Sequence, residues 1–336
     1  MRLKRLLEAL AFVVLVAVVV VMPRLISDFH ARELALVGVY FIALIGLNIL
    51  TGYSGQISLG HGAFMAIGGY TTAILTVDHG VRDLWTIPIA GVIAGVAGLL
   101  VGIPALRLSG LYLAIVTFGI AVSFRQVVTK YQHFTGGTTG KIMRLPTAEL
   151  GIHTTPNRWL YYLTWTIALA LLAVAWFLVR GKFGRTLQAV RDSEVAAVSS
   201  GVSVPLYKTV AFGISAFYAG IAGSLYAIAV FFVDPGTFPI QMSIWLVVGL
   251  AAGGLGSLAG LIGGAALIYY LQYHADAVAR WANHLPGFSL DPKQPGIPGI
   301  VFGAVLILAM LILPTGVGGF LRRLLRPLTT RLYTRS

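Results

Sequence analysis

Apolar runs of about 20 residues, the length that crosses the hydrocarbon core of a bilayer, recur along the whole chain. Polar and charged residues collect between these runs. The pattern predicts an all-α fold, a polytopic helical membrane protein with about ten transmembrane helices, built as a single membrane domain over residues 1–336. The predicted spans are Ala9–Ile26, Leu34–Leu50, Ser58–Val77, Trp85–Leu106, Leu111–Val128, Trp159–Val179, Leu206–Val233, Ile240–Gly254, Leu258–Val278 and Ile297–Leu313.

The first run begins like a signal peptide, because Arg2, Lys4 and Arg5 precede its apolar residues. No small-residue cleavage site follows it, and Met22-Pro23-Arg24 ends the run instead. We therefore expect this segment to stay in the protein as a membrane anchor.

Two glycine-rich stretches interrupt the apolar pattern, one in each half of the chain. They are "GYSGQISLGHGAF" (Gly52–Phe64), which is also polar, and "GLAAGGLGSLAGLIGG" (Gly249–Gly264). Paired stretches of this kind are typical of broken helices around a substrate path, and unwound backbone at membrane depth requires protein or water around it. The residues expected at the breaks and at close helix contacts are Gly52, Gly55, Gly60, Gly62, Gly253, Gly254, Gly256 and Gly260.

Composition and charge agree with a membrane protein: 57% of residues are apolar, 10% are charged, and the mean hydropathy is +0.87. With the N-terminus inside, the spans place 14 Lys and Arg with 3 acidic residues on the inner side, against 10 and 8 on the outer side. This asymmetry is the positive-inside bias, so both termini are expected in the cytoplasm. The basic tail, residues 314–336, is expected to contact anionic lipid rather than nucleic acid.

Catalytic and metal-binding constellations are missing from the sequence. There is no cysteine, the seven histidines lack a metal-binding spacing, and all acidic residues lie at span ends or in loops. We therefore expect no cofactor, no metal and no enzymatic activity. Ion-coupled carriers usually need intramembrane carboxylates, so uphill transport would take its energy from another chain.

The segment "GKFGRTLQAVRDSEVAAVSSGVSVP", residues 181–205, joins two predicted spans on the inner side. Its pattern predicts one amphipathic helix, Arg185–Gly201, with an apolar face and Gly201 near its end. The apolar face contains Leu187, Val190, Val195 and Val198. The mixed charge of the polar face favours docking on a partner over lying on lipid. Two outer loops, residues 131–158 and 275–298, are the other long non-membrane stretches.

Four stretches resemble the LivM-type permeases of branched-chain amino acid ABC importers. They are "GLNILTGYSGQISLGHGAFMAIGGYTTAIL" (Gly46–Leu75), "TGGTTG", "GRTLQAVRDSEVAAVSSGVSVPLYKTVAFGISAFYAGIAGSLYA" (Gly184–Ala227) and "GGLGSLAGLIGGAAL" (Gly253–Leu267). The resemblance runs from about Leu34 to Gly316 and keeps the order of the motifs.

This resemblance implies a heteromeric, ATP-driven importer in a bacterial-type inner membrane. A second, related permease subunit would pair with this chain, two cytoplasmic ABC ATPase subunits would supply energy, and an external (periplasmic) binding protein would deliver substrate. The 185–201 helix would be a coupling helix seated in an ATPase groove, although Val195 between the glutamate and the alanines makes its motif a loose match. The residues expected to couple are Arg185, Arg191, Asp192, Glu194, Ala196, Ala197 and Gly201.

The polar side chains around the first break are candidates for the substrate path. Asn48, Tyr53, Gln56, Ser58 and His61 would offer neutral hydrogen bonds to a zwitterion. The alternative is that Asn48, Gln56 and His61 satisfy broken backbone and neighbouring helices. Outside this group, Lys208 is expected as an anchor at the membrane interface, and Arg125 as a solvated residue or a contact for the binding protein.

Other functions remain open from the sequence. A urea or short-amide importer uses closely related permeases, and a stand-alone channel or carrier for a small neutral solute is compatible with the missing intramembrane acids. The charged inner segment argues against the channel, since a loop between two spans needs no such helix.

Overall fold

The computed structural model describes residues 17, 19–23, 25–105, 108, 110–144, 154–274, 303–304, 307, 311 and 316–319. Most of the predicted first span and last span, the 275–298 loop, part of the 131–158 loop and nearly all of the basic tail lie outside the described residues.

The described part of the chain is almost entirely helical. Its α-helices are α1 (Asp28–Leu47), α2 (His61–Val77), α3 (Asp83–Ala105), α4 (Leu111–Lys130), α5 (Gln132–Thr135), α6 (Pro156–Arg180), α7 (Lys182–Asp192), α8 (Glu194–Ser199), α9 (Val204–Val230), α10 (Ile240–Gly253) and α11 (Leu261–Tyr273). A π-helical turn, Asn48–Tyr53, continues α1 without interruption.

Five of these helical stretches are long and apolar enough to cross a membrane, within the residues that the structure describes. They are Asp28–Tyr53, Asp83–Pro104, Leu111–Lys130, Pro156–Arg180 and Val204–Val230. Helices α10 and α11 are apolar but shorter. The prediction of an all-α, polytopic membrane protein is therefore confirmed, whereas the number of about ten spans stays a prediction.

Helix α9 forms the centre of the bundle and packs against α1, α2 and α3. Small residues bring the backbones together here: a Cβ on Gly223 would lie 1.8 Å from the carbonyl oxygen of Met65, and a Cβ on Gly220 would lie 2.5 Å from the Cβ of Ala94. Helices in lipid associate through close packing at small residues, because lipid tails are as apolar as the helix surface and apolar burial alone does not favour helix contacts. Helix α4 lies at the periphery. Only 28% of its most apolar stretch is buried inside the protein, compared with 83% for α9.

Helices α10 and α11 form a short antiparallel hairpin joined by residues 254–260. The turn requires left-handed backbone, with φ of 102° at Gly254 and 71° at Gly256. Each helix spans about 20 Å at 1.5 Å per residue, less than the roughly 30 Å hydrocarbon core. The sequence predicted a second span starting at Leu258, but the helix starts at Leu261 because the turn occupies the residues before it.

One small strand pair departs from the all-α prediction. β1 (Lys141–Ile142) lies in the 131–158 loop and pairs antiparallel with β2 (Phe232–Val233), which directly follows α9. A salt bridge of 2.6 Å between Lys141 Nζ and Asp78 Oδ1 attaches the same loop to the end of α2. This side of the molecule lies at the opposite end of α9 from α7 and α8.

Candidate functional site

The segment Ser54–Gly60 is non-helical and joins the π-helical turn to α2. Its burial alternates: Ser54, Gln56 and Ser58 are buried, whereas Gly55 and Ile57 are exposed, with Ile57 42% exposed. The polar side chains therefore point into the protein and the apolar one points outward.

This segment packs against residues of the candidate membrane spans. At its end, His61 Nε2 is 3.0 Å from the carbonyl oxygen of Ala43, a residue well inside the Asp28–Tyr53 span. The backbone N–H of Leu59 donates to Thr117 Oγ1 of α4 at 3.0 Å, and the N–H of Gly62 donates to Ser243 Oγ of α10 at 2.9 Å. Protein groups thus satisfy part of the unwound backbone, as the membrane interior requires.

Two of the predicted path residues, Gln56 and Ser58, use polar atoms for hydrogen bonds inside this segment, and Ser54 joins them. Ser54 Oγ donates to the carbonyl oxygen of Leu50 at 2.7 Å, and Gln56 Nε2 donates to Ser54 Oγ at 2.8 Å and to the carbonyl oxygen of Lys208 at 3.3 Å. Ser58 Oγ accepts from the N–H of Gly60 at 3.3 Å. These contacts fit a structural role for Gln56 and Ser58, and their part in transport stays a prediction.

The other predicted path residues tie the two breaks together. Asn48 Oδ1 accepts from the N–H of Gly256 at 2.9 Å, and Asn48 Nδ2 donates to the carbonyl oxygen of Ser257 at 3.5 Å. The hydroxyl of Tyr53 donates to the carbonyl oxygen of Gly256 at 2.9 Å. The two glycine-rich stretches, some two hundred positions apart in sequence, are therefore neighbours joined through side-chain-to-backbone hydrogen bonds.

Arg191 of α7 contacts the first break and lies near the second. Its Nη1 donates to the carbonyl oxygen of Gly52 at 2.7 Å. A Cβ on Gly55, where φ is 74°, would lie 2.7 Å from Arg191 Cγ, and one on Gly256 would lie 4.0 Å from Arg191 Nη1. Asp192 Oδ1 accepts from Arg191 Nη2 at 3.0 Å and from its Nε at 3.1 Å, which orients the guanidinium. The inner segment is thereby connected to the breaks by one side chain.

The inner segment contains two helices where the sequence predicted one. Ser193 is extended (φ −161°, ψ 111°) and separates α7 from α8. Its Oγ accepts from the N–H of Ala196 at 3.2 Å, so Ser193 is the N-cap of α8. Gly201 follows α8 with φ 80°, a conformation that suits glycine at a helix end.

The break at Ser193 separates the predicted apolar face into two faces. Leu187 and Val190 are buried, but Val195 is 79% and Val198 is 59% exposed. Ala197, which was predicted as a coupling residue, is buried against Val190. The predicted single stripe is wrong because the change of direction at Ser193 turns α8 so that its two valines point away from the protein.

A buried lysine connects α8 to the first break, a contact that the sequence did not predict. Lys208 Nζ donates to Glu194 Oε1 at 2.5 Å, and Lys208 is buried although it was expected as an interface anchor. The carbonyl oxygen of the same residue accepts from Gln56. Of the other predicted coupling residues, Arg185 and Ala196 are exposed. The signal for Lys208 was its position one turn into a span, where a lone charge requires a partner.

Acidic residues in the described part of the chain lie near helix ends, with one buried example. Glu33, in the second turn of α1, accepts a hydrogen bond of 3.2 Å from the hydroxyl of Tyr269 and lies 3.4 Å from His274 Nε2. Within the described residues, no group of three or more His, Cys, Asp or Glu side chains is arranged to hold a metal ion.

The geometry defines the chain as a multi-pass membrane protein with two joined helix breaks and a charged segment that contacts them. The family described as "Branched-chain amino acid transport system / permease component" matches residues 31–310. The chain belongs to this family.

Two relatives are both described as "High-affinity branched-chain amino acid transport system permease protein LivM". The one from Escherichia coli (strain K12) is 35% identical over 276 residues, which cover 74% of this chain and 64% of the relative. The one from Salmonella typhimurium is 33% identical over 287 residues, covering 78% and 67%. The chain thus spans about two thirds of the length of these relatives. No solved structure matches it.

Proposed function

We propose that this chain is the permease subunit of an ATP-driven importer for branched-chain or other hydrophobic amino acids. Its family and the names of the two relatives support this function. The subunit carries out no chemistry itself, and its location is the inner membrane, with both termini in the cytoplasm.

The transporter contains further chains in this proposal. A second, related permease pairs with this one, two cytoplasmic ATPases hydrolyse ATP, and an external binding protein delivers the amino acid. The exposed face of the Ser54–Gly60 segment supports a permease partner or a water-filled path beside it, because exposed non-helical backbone is not tolerated against lipid. Asn48, Tyr53, Gln56, Ser58 and His61 hold that segment in position beside the path.

The single observation that carries the coupling mechanism is the hydrogen bond from Arg191 to Gly52. An ATPase that docks on α8 contacts Val195 and Val198, whose exposure on a charged, non-membrane segment supports such an interface. Movement of α8 and α7 then reaches both breaks through Arg191, and reaches Gln56 through Glu194 and Lys208.

Uptake of labelled leucine tests the function. Cells that lack this chain should lose leucine uptake and regain it when the chain is returned. Excess unlabelled urea should not reduce the restored uptake. Uptake that does not depend on the chain, or that urea abolishes, would overturn the substrate assignment.

Docking is tested separately with Val195→Asp. An aspartate on the exposed face of α8 should abolish co-purification of the ATPases with the permease. The matched control is Ala189→Asp, which adds the same charge at an exposed position of α7. Normal co-purification with Val195→Asp would exclude α8 as the docking face.

A further inference from the structure

A cavity of about 130 Å³ lies between α2, α4 and the connection from α9 to α10, at the opposite end of α9 from α7 and α8. Its volume is well below the roughly 300–1,000 Å³ of pockets for drug-sized ligands, so it suits a small solute. None of the residues expected to line the path at the first break contributes to this cavity.

The cavity has one charge of each sign. Arg125 of α4 and Asp234 after β2 both line it, and these two described residues form no ion pair with each other within 4.0 Å. A site with one separate cation and one separate anion matches a solute that carries one carboxylate and one ammonium group. A neutral amide such as urea carries no charged group that would pair with either side chain.

Asp234 is held in a fixed position. Residues 234–237 form a turn in which the N–H of Thr237 donates to the carbonyl oxygen of Asp234 at 3.1 Å. The Thr237 hydroxyl donates to Asp234 Oδ1 at 2.5 Å. A Cβ on Gly236 would lie 3.2 Å from Asp234 Oδ2, so glycine leaves this second oxygen uncovered.

Apolar side chains form part of the remaining wall, which also contains Gln241 and Ser243. Ala63 and Ala66 of α2, Phe124 and Val128 of α4, and Phe238 line the cavity beside the two charges. This composition provides a surface for an aliphatic side chain, since polar groups that fix orientation within an apolar wall are typical of small-molecule sites.

One buried hydroxyl in the lining lacks a partner. Tyr70 lines the cavity and is only 5% exposed, yet its hydroxyl has no hydrogen-bond partner among the described residues. Buried polar groups without a partner are uncommon and call for an explanation. A polar group of a bound solute would supply the missing hydrogen bond.

The outer glycine-rich motif packs against the turn that carries Asp234. In "TGGTTG", Gly140 has φ 73°, and a Cβ there would lie 2.6 Å from the carbonyl oxygen of Val233 and 3.0 Å from Asp234 Cβ. The pairing of β1 with β2 holds the motif next to the turn that carries Asp234. This contact gives the motif a role that the sequence alone did not indicate.

We propose that this cavity is an entry site that binds a hydrophobic amino acid as a zwitterion, with Arg125 on its carboxylate, Asp234 on its ammonium group and the apolar wall on its side chain. The inference rests on the proposed function and names a site for its substrate. In the proposed orientation, with both termini in the cytoplasm, the site lies on the outer side, where a binding protein would release its cargo.

Thiol protection in membrane vesicles that contain the complete transporter tests the site. The chain has no cysteine, so Ala121→Cys places a single thiol in the cavity lining. At a leucine concentration about ten times the half-protecting value, labelling by a small maleimide should slow roughly tenfold, since protection follows one plus the ratio of ligand to dissociation constant. Ser123→Cys, at an exposed position of the same helix outside the lining, should show no protection.

Charge-neutralising variants identify the two contacts. Arg125→Gln should remove the preference of the site for leucine over leucinamide, and Asp234→Asn should remove its preference for leucine over the corresponding keto acid. Both should raise the KM for leucine uptake. If neither substitution changes KM or these preferences, the site is not used.

The same vesicles separate this proposal from the proposed function. Absence of leucine uptake by the unmodified transporter would contradict the function itself. Normal leucine uptake, together with a thiol at position 121 that leucine does not protect, would overturn the entry site alone.

Discussion

Removal of the Arg191 guanidinium should uncouple ATP hydrolysis from transport. Arg191→Met keeps most of the side-chain stem beside Gly55 but loses the hydrogen bond to Gly52. The ATPases should still dock, because α8 is capped by Ser193 and anchored by Ala197 independently of this contact. We therefore expect ATP hydrolysis to continue while uptake falls.

The size of the effect follows from the contact. A hydrogen bond from a charged donor contributes about 1.5–3 kcal/mol, and the Arg191 side chain is 41% exposed, so the lower end of that range applies. A loss of about 1.4 kcal/mol corresponds to a factor of ten in an equilibrium. If this bond transmits the movement, leucine transported per ATP hydrolysed should fall roughly tenfold.

The assay is simultaneous measurement of leucine uptake and phosphate release in proteoliposomes with the complete transporter. Arg191→Lys should restore part of the ratio, since its ammonium can still donate to one carbonyl group. Lys182→Gln removes a positive charge from an exposed position at the start of the same helix and should leave the ratio unchanged. An unchanged ratio in Arg191→Met would refute transmission through this contact.

Three further predictions concern packing and buried polar groups. Gly223→Val should lower the thermal unfolding midpoint of the solubilised protein, because the new Cβ would meet the backbone of Met65 and overpacking costs about 1–3 kcal/mol. Gly119→Val is the control and should not lower the midpoint, because the space around Gly119 is open. Glu194→Gln should destabilise the chain more than the Glu194→Gln, Lys208→Met double variant, since only the single change leaves a buried lysine unpaired; equal midpoints would contradict this. Tyr40→Phe, which loses the 2.6 Å hydrogen bond to Gln272, should destabilise by about 0.6 kcal/mol, the average for such bonds in membranes, measured by unfolding in mixed micelles.

The first break is visible in the sequence, but the direction of its side chains is not. Ser54, Gln56 and Ser58 alternate with Gly55 and Ile57. This alternation is compatible with polar side chains that face a substrate path and with polar side chains that face the protein interior. Gln56 bonds to the carbonyl oxygen of Lys208, and the backbone N–H groups of Leu59 and Gly62 bond to Thr117 and Ser243; all three partners come from distant helices. Local pattern contains no information about such contacts.

In the inner segment, the periodicity of apolar residues predicts a single helix although the structure has two. Apolar residues continue at helical spacing from Leu187 to Val198, which predicted one helix. Ser193 also carried the signal of an N-cap, but a serine inside a periodic stretch fits either interpretation. Likewise, the composition of residues 234–237 favours a turn, yet nothing in the sequence places Asp234 opposite Arg125.

The contacts around the Ser54–Gly60 segment also impose an order on biosynthesis. Besides its local hydrogen bonds, the segment and the start of α2 bond to residues 58, 152 and 181 positions later in the chain. When α1 and α2 first enter the membrane, the N–H of Leu59 and the side-chain amide of Gln56 therefore lack these later partners, and the N–H of Gly62 gains Ser243 only after α10 has been synthesised. Until then these three polar groups lack the partners they have in the folded protein, so chains that stop before α9 should be recognised and degraded by membrane quality control.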